Sequence, residues 1–66
     1  MSDDISTAVQ REVTRIRNMI TETKALLPNG NANFIIYEIT LAEADRAIRE
    51  QDVVALVRLL PVLQLM

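Results

Sequence analysis

The segment NFIIYEITLAEADRAIREQ, residues 33–51, decides the fold because it fits two kinds of secondary structure. Its first part, FIIYEIT, has the aromatic and β-branched composition of a strand. Its second part, LAEADRAIRE, favours a helix, and the chain offers no second segment for strand pairing. The apolar residues also recur at alternating spacings of three and four, as on one face of a helix: Phe34, Tyr37, Leu41, Ala44 and Ile48. We therefore predict a helix over about residues 32–50.

A longer helix is predicted before this segment, over about residues 3–27. Its start, Ser2, Asp3 and Asp4, places capping side chains and negative charge at the positive end of the helix dipole. A heptad stripe of mainly β-branched residues follows: Val9, Val13, Ile16, Ile20, Thr23 and Leu27. This pattern is typical of an amphipathic helix.

The stretch LLPNGNAN, residues 26–33, separates the two helices. Pro28 disfavours helical geometry at the residue before it and cannot continue the hydrogen-bond ladder, and Gly30 supplies positive φ. We predict a loop over residues 28–33. Because a loop this short returns the chain alongside itself, the two helices should form an antiparallel hairpin.

The remaining segment, DVVALVRLLPVLQLM at residues 52–66, predicts a third helix over about residues 52–65, capped by Asp52. Gln51 and Asp52 make only a weak break, so the second and third helices are either one helix or two. Pro61 either ends the third helix at Leu60 or kinks it there. The predicted fold class is all-α: one domain over residues 1–66, a helical hairpin with a short third C-terminal helix, completed as a bundle by oligomerisation.

The chain is small for a fold that stabilises itself. With 66 residues, it should bury only roughly 60% of the surface of its unfolded form, and one core of this size supplies ~3–5 kcal/mol. Proteins this small usually add disulfides, a metal or a partner chain. The sequence contains no cysteine and no histidine, which removes disulfides and the commonest metal ligands. Association with another chain is the reinforcement that is left.

The residue types argue against an enzyme, a metal site or a cofactor. No histidine is present to activate a serine or threonine nucleophile, and a single glycine excludes a glycine-rich phosphate-binding loop. Acidic residues of the second helix, among them Glu43, Asp45 and Glu50, flank its apolar stripe, so we interpret them as solvated helix surface. We predict a non-enzymatic protein with no cofactor and no metal.

Charge and hydropathy predict neither a nucleic-acid partner nor a membrane partner. The net charge is −2, and Arg11, Arg15 and Arg17 lie among acidic residues, which favours a solvated face over a phosphate-binding one. The start, MSDDISTAVQ, has acids where a secretory signal needs cations. The longest apolar-rich run, roughly 14 residues, is shorter than the ~20 that span a bilayer. We expect a cytoplasmic protein.

The third segment and the start of the second helix carry more apolar surface than a hairpin covers. Burying an exposed leucine or isoleucine contributes ~1.5–3 kcal/mol, so we expect a partner to cover the surplus. The stripe that contains Leu56 and Leu60 packs either on the chain's own hairpin or on a partner, and the sequence does not decide between the two. We also expect Leu63→Asp to weaken association while the hairpin stays folded. The predicted partner-binding residues are Ile35, Ile36, Ile39, Val53, Leu56, Val57, Leu60 and Leu63.

The predicted function is that of a small acidic adaptor, inhibitor or chaperone-like protein. It would bind protein through apolar helix faces and form a homo-oligomer, with a dimer favoured; a helical segment of a partner protein is the other ligand such faces suit. A structural subunit of a larger assembly is the alternative, and its isolated chain should aggregate. A small DNA-binding regulator is the second alternative, which salt-sensitive binding to duplex DNA would reveal.

Overall fold

The computed structural model describes residues 4–26 and 34–66, which form three helices: α1 (Ile5–Leu26), α2 (Ile35–Glu50) and α3 (Val53–Leu65). No strand occurs in these two stretches. The all-helical prediction is confirmed, and the strand-like segment FIIYEIT belongs to a helix.

Some sequence-based assignments fall outside the described residues. They are the loop at residues 28–33, the start of the second helix at about residue 32, and the contributions of Ser2, Asp3 and Leu27. The extent of the domain, residues 1–66, stays a prediction.

Asp4 caps the start of α1. The Thr7 backbone N–H donates to Asp4 Oδ1 at 2.8 Å, and the Ala8 N–H donates to the Asp4 carbonyl at 3.1 Å. The first bond satisfies an N–H group that has no partner within the helix, and the second is the first backbone hydrogen bond of the helix. The Thr7 backbone N–H also holds the pKa of the Asp4 carboxyl below its ordinary value, because it stabilises the charged form.

The break between α2 and α3 is a helix C-cap in which Gln51 takes the left-handed conformation, with φ 55° and ψ 40°. The Asp52 N–H donates to the Ala47 carbonyl at 2.9 Å and the Gln51 N–H to the Ile48 carbonyl at 3.2 Å, the Schellman pattern. Asp52 Oδ1 then accepts from the Ala55 N–H at 3.2 Å and caps α3. The segments are therefore two helices rather than one.

Pro61 lies inside α3, and the helix does not end at Leu60. A proline cannot donate to the carbonyl four residues earlier, here that of Val57. Val57 and Pro61 are both exposed, so water has access to that part of the helix. Leu56 and Leu63, on either side of Pro61, are buried, and their packing holds the segment as one helix.

Ion pairs and hydrogen bonds define the helix directions. Arg17 pairs with Asp45, and Lys24 Nζ lies 3.2 Å from Glu38 Oε1, so α1 and α2 are antiparallel as predicted. Arg15 Nη2 donates to the Leu63 carbonyl at 2.8 Å, far from the start of either helix. At the other end, the beginnings of α1 and α3 line one cavity. The first and third helices therefore run parallel.

The core occupies one part of the bundle, because α3, at 13 residues, spans ~20 Å and α1, at 22 residues, spans ~33 Å. We name residues 5–20, 41–50 and 53–66 the three-helix end, and residues 21–26 and 34–40 the hairpin end. No residue of the hairpin end is buried. The buried residues are Val9, Val13, Ile16, Ile20, Leu41, Ala44, Ala47, Leu56 and Leu63.

Candidate protein-interaction surface

The predicted partner-binding residues divide into an exposed and a buried group. The exposed group is Ile35, Ile36, Ile39, Val53 and Val57. Leu60 is half-buried against the core, whereas Leu56 and Leu63 are 1% and 0% exposed. In this fold Leu56 and Leu63 hold α3 on the chain's own hairpin, and they reach a partner only if α3 leaves it.

The expectation for Leu63→Asp is therefore revised. A carboxylate at a position with 0% exposure is taken out of water without a partner, which costs several kcal/mol. A core of this size supplies about that much in total. We now expect this substitution to unfold the chain rather than to act on association alone.

Four large apolar residues that are exposed lie outside the predicted partner-binding set: Leu26, Val54, Val62 and Leu65. Val54 and Leu65 lie on the side of α3 opposite Leu56 and Leu63, and Val57 and Val62 flank them. Helical periodicity predicts that these residues share a side. It does not predict which side faces water, because nearly every residue of α3 is apolar.

Exposed apolar residues of α2 and α3 lie on both sides of the seam between these helices. Glu43 and Leu59 line the same shallow cavity of about 300 Å³ between the two helices. Ile39 and Ile36 lie one and two turns before Glu43, and Val62 lies one turn after Leu59. Because the two helices are antiparallel, Ile39 and Val62 lie at about the same height. We give the name outer face to this seam together with the outward side of α3, which also carries Arg58; its apolar residues are Ile36, Ile39, Val54, Val57, Val62 and Leu65.

An ion-pair network lies at the edge of the outer face, near the α2–α3 connection. Arg46 contacts Glu43, lies 2.8 Å from Glu50 Oε1 through Nη1, and lies 3.5 Å from Asp52 Oδ2 through Nη2. The hydrogen bond from Arg46 lowers the pKa of Glu43, and the same bond raises the pKa of Arg46. Three carboxylates surround one guanidinium, so this edge of the outer face keeps a net negative charge. Arg58, which lines the same cavity, makes no salt bridge to a described residue.

Two further cavities that are lined by described residues do not gather catalytic groups. One of about 530 Å³ lies between the beginnings of α1 and α3, and its only ionisable side chain, Asp4, is engaged with the Thr7 N–H. Another of about 610 Å³ lies along α1 and α2 beside Asp45 and Arg49. Among residues 4–26 and 34–66, no group of acidic side chains is arranged to hold a metal ion. The absence of enzymatic activity and of a cofactor stays a prediction.

The arginines of α1 take part in the fold. Arg15 Nε lies 2.8 Å from Glu12 Oε1, and Arg17 pairs with Asp45 on α2. Their positive charge is thus partly balanced by neighbouring carboxylates. The sequence-based prediction of no nucleic-acid partner stays a prediction.

Comparison with protein-family models, curated proteins and solved structures finds no match to this chain. No helix in the part of the chain that the structure describes is long and apolar enough to cross a bilayer.

Proposed function

We propose that this chain is a non-enzymatic protein-interaction protein that self-associates, as a dimer, through the outer face. The observation that carries the proposal is this apolar surface across α2 and α3, on which Ile36, Ile39 and Leu65 are 66%, 63% and 88% exposed. Continuous exposed apolar surfaces are uncommon on monomers and mark interaction sites.

The accessible area supports a partner of about this chain's own size. The chain exposes 4823 Å², whereas a compact monomer of its mass exposes roughly 4,200 Å². The difference, on the order of 600 Å², approaches the ~800 Å² that each partner buries in a standard interface.

The charge distribution supports a second copy as the occupant. In a two-fold dimer each face meets itself, so like charges must not oppose one another. The outer face carries one cation, Arg58, which lies one turn from Val54 and Val62 and makes no salt bridge to a described residue, and its edge is acidic, because Arg46 alone faces three carboxylates. A two-fold arrangement that places Arg58 of each copy against the acidic edge of the other copy pairs opposite charges around the apolar side chains.

The test is the mass of the chain in solution by sedimentation equilibrium at micromolar concentration. We expect a dimer for the unmodified chain and a monomer of unchanged helicity for Ile39→Glu and Val57→Glu, because both place a charge in the interface. Asn18→Glu is the matched control: it adds the same charge to an exposed position of α1 and should leave the dimer intact.

A monomeric unmodified chain would contradict self-association and leave a helix of another protein as the occupant. A dimer that tolerates both outer-face substitutions would contradict the assignment of the surface. The cytoplasmic location expected from the sequence stays a prediction, which fractionation of the native host would check.

A further inference from the structure

The connection between α2 and α3 has the features of a hinge. Gln51 holds φ 55° in a C-cap whose left-handed position usually belongs to glycine, because a Cβ crowds the following carbonyl oxygen. The connection consists of Gln51 and Asp52 alone. Short hinges under strain favour the exchange of a segment between copies of a protein.

The strain disappears if the connection becomes helical. No glycine or proline lies between Ile35 and Leu60, so nothing in the covalent structure prevents α2 and α3 from joining. The joined helix would run from Ile35 to Leu65, about 46 Å long. In that state α3 projects away from its own α1 and exposes Leu56 and Leu63.

A second copy supplies the core contacts that α3 then loses. Within one chain, Leu56 and Leu63 pack into the core, and the Leu63 carbonyl accepts from Arg15 Nη2 at 2.8 Å. The groove between α1 and α2 of an identical chain offers the same core and the same arginine. Exchange therefore keeps the interactions of α3 and removes the left-handed residue from each chain.

We infer that the groove between α1 and α2 binds α3 of a second copy, so that two chains exchange their third helices about Gln51. The inference goes beyond the proposed function, because it uses the buried side of α3 rather than the outer face. Asp52 opposes exchange, since it caps α3 and contacts Arg46 at 3.5 Å in the bent connection. Because the exchanged form is a dimer, its fraction increases with concentration, and because Leu56 and Leu63 must leave the core before α3 can return, the exchange reverses slowly.

The first test is a cross-link between α1 and α3. Gln10 and Val53 line one cavity and are exposed, and the sequence has no cysteine. Gln10→Cys/Val53→Cys is incubated at high concentration, treated with a short bis-maleimide and run on a denaturing gel. We expect within-chain links from the bent form and between-chain links from exchange, in excess of those from each single-cysteine variant.

Hinge variants decide whether the between-chain links arise from exchange. Gln51→Gly accommodates the left-handed conformation, so it should lower the between-chain fraction about tenfold or more. Asp52→Ala removes the cap and favours the joined helix, so it should raise that fraction several-fold. A between-chain fraction equal to that of the single-cysteine controls, or unaffected by both variants, would overturn the inference.

The second test needs no cysteine and separates this inference from the proposed function. In chains that carry Ile39→Glu, any remaining slowly dissociating dimer should vanish when Gln51→Gly is added. A dimer abolished by Ile39→Glu and unchanged by Gln51→Gly in the unmodified chain would overturn exchange and retain the outer-face dimer. A dimer that survives Ile39→Glu and Val57→Glu but is lost with Gln51→Gly would overturn the outer-face dimer and retain exchange.

Discussion

The three-helix end and the hairpin end use the same kinds of residue with opposite results. At the three-helix end Ile16 and Leu63 are fully buried, while at the hairpin end Ile36 and Leu26 are 66% and 80% exposed. The hairpin end is held by contacts at the surface: Lys24 pairs with Glu38 and lies 5.6 Å from the ring centroid of Phe34. Two helices bury one stripe each, and a third is needed to enclose a side chain. The stability of this chain therefore depends on where α3 lies.

The largest expected effect comes from removing core volume at the three-helix end. Leu63→Ala should cost about 2–5 kcal/mol, because a fully buried leucine leaves a cavity. That cost is comparable with the whole stability of such a core, ~3–5 kcal/mol. We expect the helical circular dichroism signal to fall and the urea concentration at the midpoint of unfolding to decrease sharply.

Leu65→Ala, in the same helix, and Ile36→Ala, at the hairpin end, are the matched controls for Leu63→Ala. Both side chains are largely exposed, so each change should alter the monomer's free energy of unfolding by less than about 0.5 kcal/mol. Equal losses of unfolding free energy for Leu63→Ala and Ile36→Ala would show that the three-helix end and the hairpin end contribute equally to stability.

An intermediate effect is expected for cations on α1. Arg15 donates to the Leu63 carbonyl in a part-buried hydrogen bond. Arg15→Ala should therefore lower the free energy of unfolding by about 1–2 kcal/mol. Lys24 pairs with the exposed Glu38 carboxylate, and Lys24→Ala should cost less than about 1 kcal/mol. Urea unfolding of the two variants measures the difference. A larger loss of unfolding free energy for Lys24→Ala than for Arg15→Ala would show that the hairpin end contributes more stability than its burial indicates.

The smallest effect is expected from acid, and it acts at the three-helix end. The fold lowers the pKa of Asp4 from 3.8 and that of Glu43 from 4.5, through the Thr7 backbone N–H and Arg46 respectively. Because the charged forms are favoured in the fold, their contribution is complete above these ordinary values and is lost as pH falls through them towards the lowered ones.

Urea midpoints of the unmodified chain and of Asp4→Asn, measured at neutral pH and at about pH 3, check this effect. Asparagine also caps helices but does not titrate, so Asp4→Asn should lose less stability on acidification. An identical loss in both chains would show that the cap makes no contribution to the pH dependence.

The helices themselves follow from local sequence. The alternation of three and four from Phe34 to Ile48 outweighs the strand composition of FIIYEIT, because a strand needs a partner strand and the chain offers none. The stripe from Val9 to Ile20 and the Asp52 cap are likewise properties of neighbouring residues, and the structure contains them as predicted.

The exposed apolar residues of the proposed interaction surface were predictable for α2 and much less so for α3. Ile36 and Ile39 lie off the apolar stripe of α2, which has polar residues for contrast, so their exposure follows from periodicity alone. In α3 the residues Val54, Leu56, Val57 and Leu63 are equally apolar, and periodicity cannot rank the sides of such a helix. Leu56 and Leu63 were accordingly assigned together with residues that are exposed.

The sequence by itself determined that this chain is helical, where the described helices lie, and that it carries more apolar surface than a hairpin covers. These features depend on contacts within a few residues. Only the tertiary structure decided which side of α3 faces the hairpin, that α3 continues through Pro61, and that Gln51 takes the left-handed conformation. Those features depend on how α3 packs against α1 and α2, because the energy of burying Leu56 and Leu63 exceeds the local preferences of a proline and a glutamine.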